Sequence, residues 1–373
     1  MDNRYDAVII GAGIIGSAIG CGLAQRGWRT LNVDRLETAG QGSTSSSVAI
    51  VRSHYSTLEG SALAWEGTQC WEDWRGHIGI EDPAGMAEYR QTGVLVLKTD
   101  ANSNLEKQIA LSDALQLPYE DWSAEALRTQ RPGWKLDRFG PPVRSDHPRF
   151  GQPTGSKVNG AVFFPRAGYC NDPRLAAHNL QVAAQAAGAE FRFNTTVSAI
   201  QIRDGRTAGR ELDGSEVIHT PVIVNAAGPH SAKISALAGV EQGNAIKTRV
   251  IRHEYVRLPR PASVGNKDAA MVTFDGDIGS YTRPDLGETF LSGSDGYEVE
   301  GEQIADPDDF DRNLSGSVME SIYRLGQRIP SLGIPNSVSG IVDLWDVSDL
   351  SLIHISAPTR PRLISYAVFC LKK

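Results

Sequence analysis

The residues from Tyr5 to Arg35, YDAVIIGAGIIGSAIGCGLAQRGWRTLNVDR, constrain the fold more than any other part of the chain. Ala7 to Ile10 form a continuous apolar run, as a parallel strand buried on both faces requires. The run ends in Gly11-Ala12-Gly13-Ile14-Ile15-Gly16, a G-x-G-x-x-G pattern. Gly11 serves the tight turn, Gly13 lets backbone approach a diphosphate, and Gly16 allows close packing of helix on strand. Ile14 and Ile15 open that helix, whose first N–H groups and positive dipole end suit phosphate. Small residues Ser17, Ala18, Gly20 and Gly22 keep one helix side slim. A second apolar strand, Thr30 to Val33, ends in Asp34, 18 residues after Gly16, where a ribose hydroxyl pair needs an acceptor. Strand, helix and acid occur in the order of a βαβ unit that binds a dinucleotide.

A chain of 373 residues suits two interleaved units, and 40% hydrophobic with 22% charged residues is ordinary for a globular protein. The net charge of −7 is spread without long runs, which argues against nucleic acid and against a membrane-surface patch. No apolar stretch approaches the ~20 residues that span a bilayer. The first strand begins almost at the N-terminus, leaving no room for a signal peptide, so cytoplasm is the expected location. Four cysteines lie far apart without a C-x-x-C pair, suggesting neither a disulfide framework nor a metal site.

After Arg35 comes a Gly-, Ser- and Thr-rich loop, Leu36 to Ser47. It is either a flexible linker or a second phosphate-binding element offering Ser43, Thr44 and Ser45. Arg52 follows an apolar stretch. It is either a solvated charge or a bidentate fork facing a carboxylate in a cleft.

The G-x-G-x-x-G unit, Asp34-Arg35 and the tract GSTSSSVAIVR (Gly42 to Arg52) together resemble the FAD-dependent amine and amino-acid oxidoreductases. That family includes D-amino-acid oxidase, glycine oxidase, sarcosine oxidase and dimethylglycine dehydrogenase. The longer tract GSTSSSVAIVRSHYSTLEG is most similar to the sarcosine oxidase β-subunit branch. The resemblance implies that Gly11, Gly13, Gly16, Asp34, Arg35, Ser43, Thr44 and Ser45 contact the AMP and diphosphate parts of FAD. Where some relatives carry His or Arg near the isoalloxazine, this chain has Ser45 and Ala49. The resemblance further implies that backbone around Val197 lies against adenine. NAAGPHS, with Ala227 and Gly228, resembles the family's late flavin-domain motif and favours FAD over NAD.

Elsewhere, apolar spacing predicts a helix within 58–78, a strand over 93–98, a helix over 102–115 and Pro/Gly-rich loops over 131–160. A strand is expected over 160–164, and Asp172-Pro173 starts a helix that Gly188 ends. Strands over 190–193 and 195–202 then suit a further layer of the nucleotide unit. Strands over 247–258, 270–274, 278–282 and 289–292 read as an antiparallel substrate sheet, and a helix is expected to open at Asp306-Pro307. In that sheet Tyr281 and Arg283 alternate onto one face. They are either a strand edge or, as the family implies, a carboxylate clamp. His253 and Glu254 are structural or, for His253, amine-orienting.

The expected architecture is α/β: a Rossmann-like FAD-binding domain (1–80, 161–240 and the start of a third part, 336–349) with an inserted antiparallel-sheet α+β substrate domain (81–160, 241–335). Residues 350–373 read as a non-native tail on a truncated flavin domain. The expected reaction oxidises the C–N bond of a small, N-methylated or other, amino acid or amine by hydride transfer to flavin N5, followed by imine hydrolysis. Arg52, Tyr281, Arg283 and His253 are the candidate catalytic residues, and oxygen or an electron carrier accepts the electrons. A hetero-oligomeric partner fits the β-subunit resemblance. The alternatives are a flavoenzyme acting on a polyol such as glycerol 3-phosphate and an inactive fragment.

Overall fold

The computed structural model describes residues 3–102, 104–203, 206–212, 216–240, 248–261, 270–294, 301 and 303–348. The tail at 350–373 therefore lies outside the described residues.

Strand β1 (Ala7–Ile10) is wholly buried because β2 (Thr30–Val33) and β13 (Val222–Asn225) pair with it on either side, both parallel. β9 (Glu190–Arg192) adds to β2, giving the order β13-β1-β2-β9. Ile10 is level with Val33 and with Asn225, so the carboxyl ends of three strands form one edge. Helix α1 (Ile14–Ala24) covers this sheet and packs on α6 (Pro173–Ala186) through Ala18, Cys21 and Ala24 against Ala176, Leu180, Ala183 and Ala184. The Asp172 side chain accepts from Leu175 N–H and so caps α6, as the Asp-Pro start requires. Helix α7 (Ser231–Leu237) follows β13.

The larger sheet has eight strands in the order β18-β14-β17-β16-β15-β5-β7-β6. They are β5 (Val94–Leu97), β6 (Glu120–Trp122), β7 (Ala161–Phe164), β14 (Thr248–Pro259), β15 (Val272–Asp275), β16 (Ser280–Pro284), β17 (Thr289–Ser294) and β18 (Ser339–Ser348). All neighbours are antiparallel except β15 with β5. One face carries Leu95, Leu97, Val256, Leu258 and Phe290 into a core with Val318, Ile322, Leu325 and Ile329 of α8 (Ser317–Arg328). Arg328, 1% exposed, reaches Asp275 at 2.7 Å and Asp277 at 3.1 Å on this face. A buried pair of this kind is tolerated because further hydrogen bonds satisfy it. Asp277 also accepts from Phe139 N–H. The opposite face is turned to the nucleotide-binding unit.

Two small sheets complete the strands. β3 (Ile50–Val51), β8 (Gly168–Cys170) and β4 (Tyr89–Arg90) form one. β10 (Val197–Arg203), β11 (Arg206–Leu212) and β12 (Glu216–Ile218) form the other. The remaining helices are α2 (Leu58–Glu72), α3 (Trp74–Ile78), α4 (Leu105–Leu115) and α5 (Ala124–Gln130). Among the described residues no helix is long and apolar enough to cross a membrane.

The structure departs from the sequence reading in several places. The helix expected from Asp306 begins only at Ser317, because the Asp306 carboxylate accepts from Asp308 N–H and folds 306–309 into a turn. The expected helix over 58–78 is broken at Asp73, whose side chain caps α3 through Gly76 N–H. β10 is the further layer expected, in an antiparallel sheet of its own, with Val197 and Ile200 packed against Val8, Ile10, Leu31 and Val33. β7 and β18, read as returning portions of the nucleotide unit, hydrogen-bond into the eight-stranded sheet. The four-residue apolar run of β7 suits either kind of buried strand, so period alone does not separate them.

Candidate active site

The glycines of the first turn are held by close approach. Gly11 has φ +108°, and a Cβ there would lie 2.3 Å from the Ala226 carbonyl oxygen. A Cβ on Gly16 would lie 2.0 Å from the Gly11 carbonyl oxygen. Backbone of β1, β13 and α1 thus meets where only glycine fits. Gly13 is the N-cap residue of α1 and brings no side chain to the helix end. The Ile14, Ile15 and Gly16 N–H groups belong to the first turn, where no helical carbonyl precedes them. Thr44 Oγ1 accepts from Ile14 N–H at 3.1 Å, so the Ser/Thr loop does reach the helix end. Ser45 is turned inward, donating to the Gln41 and Gly42 carbonyls, and Ser43 accepts from Ser46 N–H through its own carbonyl.

The Asp34 carboxylate accepts from Ala12 N–H at 2.7 Å and from Leu36 N–H at 2.9 Å. Those bonds fix it at the end of β2, and each oxygen keeps acceptor capacity for a ribose hydroxyl. Arg35 points away, to Asp308 at 2.7 Å, and Asp308 also meets His230 and Lys233. Val197 packs with Val8, Ile10, Val33 and Ala227, below the edge formed by the strand ends. Gly228 follows with φ +54°. A glycine-lined turn, the first-turn N–H groups of α1 beside the Thr44 hydroxyl and an anchored acid form a cradle that fits the diphosphate and ribose of an adenine dinucleotide.

The segment from Val48 to Tyr55 joins this cradle to the large sheet and meets the buried strands β7, β15 and β16. Arg283 on β16 donates to Val48 O at 2.7 Å. The Arg52 guanidinium lies 5.6 Å from the centroid of the Phe274 ring on β15 and 4.6 Å from that of Tyr55. His54 stacks on Phe164 of β7 with ring centroids 3.6 Å apart. Burial, then the charge of Arg52, holds the His54 imidazole well below its ordinary pKa and hence neutral. On the same sheet face Tyr281 Oη lies 3.1 Å from His253 Nε2, and His253 stacks on Trp345 of β18 at 3.8 Å. Burial, then Arg252, lowers His253 to about 4.

The four catalytic candidates therefore separate. Tyr281 and His253 are brought together, and Phe274, 6.1 Å from the Tyr281 ring, links them to Arg52. Arg52 is half-buried and has no ion pair among the described residues. Arg283 is neither a solvated strand edge nor open for a clamp. It is 4% exposed, Nη1 donates to Val48 O and Nη2 to Asp285 at 3.1 Å while the buried Nε has no hydrogen-bond partner among the described residues, and its guanidinium lies 4.4 Å from the centroid of the Tyr169 ring. Glu254 turns to the Ser315 N–H and hydroxyl and to Arg252, a structural role. His54, Asp285 and Trp345 escaped the sequence reading. Only the R-x-H-Y spacing of Arg52 to Tyr55 offered a local sign of the first.

Comparisons with known proteins bear on the family and the fold. The family model described as "DAO: FAD dependent oxidoreductase" matches residues 6–362. Glycine oxidase of Geobacillus kaustophilus is 26% identical over 346 residues, covering 89% of this chain and 78% of that protein. The tRNA 5-methylaminomethyl-2-thiouridine biosynthesis bifunctional protein MnmC of Ralstonia nicotianae is 26% identical over 235 residues, 62% of this chain; the match spans only 32% of that protein's length. Among solved structures, G. kaustophilus glycine oxidase superposes with TM-score 0.69 at 21% identity, covering 93% of this chain and 84% of that one. L-proline dehydrogenase from P. horikoshii superposes with TM-score 0.72 at 19% identity, covering 98% and 86%.

Proposed function

This chain belongs to the DAO family of FAD-dependent oxidoreductases, and from that premise we propose that it oxidises the carbon–nitrogen bond of a small amino acid or amine, N-methylated ones included. FAD is the cofactor. When bound, FAD supplies the hydride acceptor, so the chain needs no side-chain nucleophile and acts by positioning. Gly11, Gly13, Ile14, Ile15, Gly16 and Thr44 hold the diphosphate, Asp34 the ribose, and Val197, Ala227 and Gly228 line the adenosine and flavin sides. Arg52 takes the substrate carboxylate, for which a planar guanidinium over aromatic rings is well suited. Tyr281 gives a second hydrogen bond. His253, neutral above pH ~4, holds the Tyr281 hydroxyl. Arg283 serves instead as the tie between sheet and crevice. Fixing the carboxylate aligns the neighbouring C–H with the acceptor, where orientation contributes most to rate. Water then hydrolyses the imine, and oxygen or an electron carrier takes the electrons.

What supports the reading is the Val48–Tyr55 segment, which runs from the Thr44-capped helix end to the aromatic sheet face and carries Arg52 between them. The amino-acid names of glycine oxidase and L-proline dehydrogenase favour a C–N substrate. The Gly42–Gly60 tract favours the sarcosine oxidase β-subunit branch. The test is anaerobic mixing of FAD-reconstituted protein with glycine, N-methylglycine, N,N-dimethylglycine, L-proline and glycerol 3-phosphate. Bleaching of the visible flavin band by one of the amines is the expected result. Bleaching by glycerol 3-phosphate alone, or by none, would contradict it.

A further inference from the structure

Gly293 on β17 pairs with Tyr281 on one side and with Tyr255 of β14 on the other. A Cβ at Gly293 would lie 2.2 Å from Tyr281 Oη, 2.3 Å from its Cζ and 2.6 Å from its Cε1. The Tyr281 ring therefore lies flat across the glycine, along the sheet. Its hydroxyl is delivered one strand further, 3.1 Å from His253 Nε2. We infer that Gly293 is a positioning residue of the active site, the seat that aims the Tyr281 hydroxyl at His253. The inference rests on the proposed role of Tyr281 as a carboxylate donor.

The chemistry of the pair gives the seat its purpose. Tyr281 Oη and a neutral imidazole share one hydrogen bond, and either can donate. With the hydrogen on Nε2, the imidazole donates to Oη and so fixes where the Tyr281 hydroxyl sits on the sheet face. A ring lifted off the sheet by any larger residue at 293 loses Nε2, and with it that fixed position. Contacts at 2.2–2.6 Å cannot be relieved by a few tenths of an ångström, because they involve the ring itself and not a flexible chain end. A covering aromatic also shields a strand glycine whatever its function. The purely structural role and the positioning role differ in what they predict for ligand binding.

The experiment uses the FAD-reconstituted full chain, wild type and Gly293→Ala, Tyr281→Leu and the double variant. Acetate affinity is read from its perturbation of the flavin spectrum, with kcat and KM measured on the amine that bleaches the flavin. One lost hydrogen bond, ~1 kcal/mol, is worth roughly 5-fold in affinity. Gly293→Ala should weaken acetate by about that factor, raise KM more than it lowers kcat, and cost nothing further in the Tyr281→Leu background. Wild-type acetate affinity in Gly293→Ala beside weakened Tyr281→Leu would overturn the seat alone, as would effects that multiply in the double variant. Unchanged acetate affinity in Tyr281→Leu would overturn the carboxylate role of Tyr281 itself. Should Gly293→Ala not fold, the double variant must, since the shortened side chain at 281 clears the added methyl; an unfolded double variant overturns the inference.

Discussion

The nucleotide cradle and the sheet face that meets it are built on opposite principles. The cradle is made of backbone: a turn where Cβ atoms do not fit, first-turn N–H groups, and an Asp34 carboxylate anchored on Ala12 and Leu36 amides. The sheet face is made of side chains that find each other across strands: Arg52 over Phe274, His54 on Phe164, Tyr281 on His253, His253 on Trp345. Backbone sites fail completely when crowded. Side-chain sites lose function by degrees, one group at a time.

The largest effect should come from the cradle. Gly16→Ala places a methyl 2.0 Å from the Gly11 carbonyl oxygen, so the variant should emerge without bound FAD or not fold. The flavin-to-protein ratio after reconstitution checks this. A near-stoichiometric ratio would break the contrast between the two regions.

The sheet face should show itself next in pH dependence. Burial lowers His253 from 6.5 to about 4, so between those values the folded protein binds fewer protons than the unfolded chain. Its contribution is present above pH 6.5 and is lost as pH falls toward 4. At ~1.4 kcal/mol per unit this amounts to about 3 kcal/mol. His54 acts in the same direction. Urea midpoints across pH 4–7 should fall steeply for the wild type and less steeply for His253→Gln.

Arg52→Ala should raise KM for an amino-acid substrate by roughly 30- to 150-fold, the worth of a charged hydrogen bond of 2–3 kcal/mol, with kcat less affected. Steady-state kinetics against a substrate lacking a carboxylate should show little change. The smallest effect belongs to Asp308→Asn, which weakens contacts to Arg35, His230 and Lys233 near the protein surface. Exposed pairs contribute ~1 kcal/mol or less, so thermal unfolding should shift by only a few degrees.

The same contrast explains what could be read from the sequence. The cradle lies within Gly11 to Thr44, so spacing exposes its glycines and its acid, while the Ser/Thr loop stays open between linker and phosphate-binding element until Thr44 is seen on the Ile14 N–H. Residues that meet only through sheet pairing leave no such local record. Arg283 and Val48 are separated by 235 positions, so only the Asp285 contact, two residues away, left a local trace of how Arg283 is held. His253 and Tyr281 were each recognised as candidates. Their mutual hydrogen bond depends on β17 lying between their strands, which no window of sequence displays. The helix start misplaced at Asp306 shows a further limit. An Asp-Pro pair signals a helix cap and an Asx turn equally well, and the backbone amide of Asp308 decided between them.

The central claim is that cradle and sheet face form one site, with flavin in the first and a carboxylate held by the second. Acetate titration of the flavin spectrum in wild type and Arg52→Ala, at matched FAD content, tests it most directly. A saturable perturbation in the wild type that disappears in Arg52→Ala while FAD stays bound is the predicted result. The same perturbation in both proteins would contradict it.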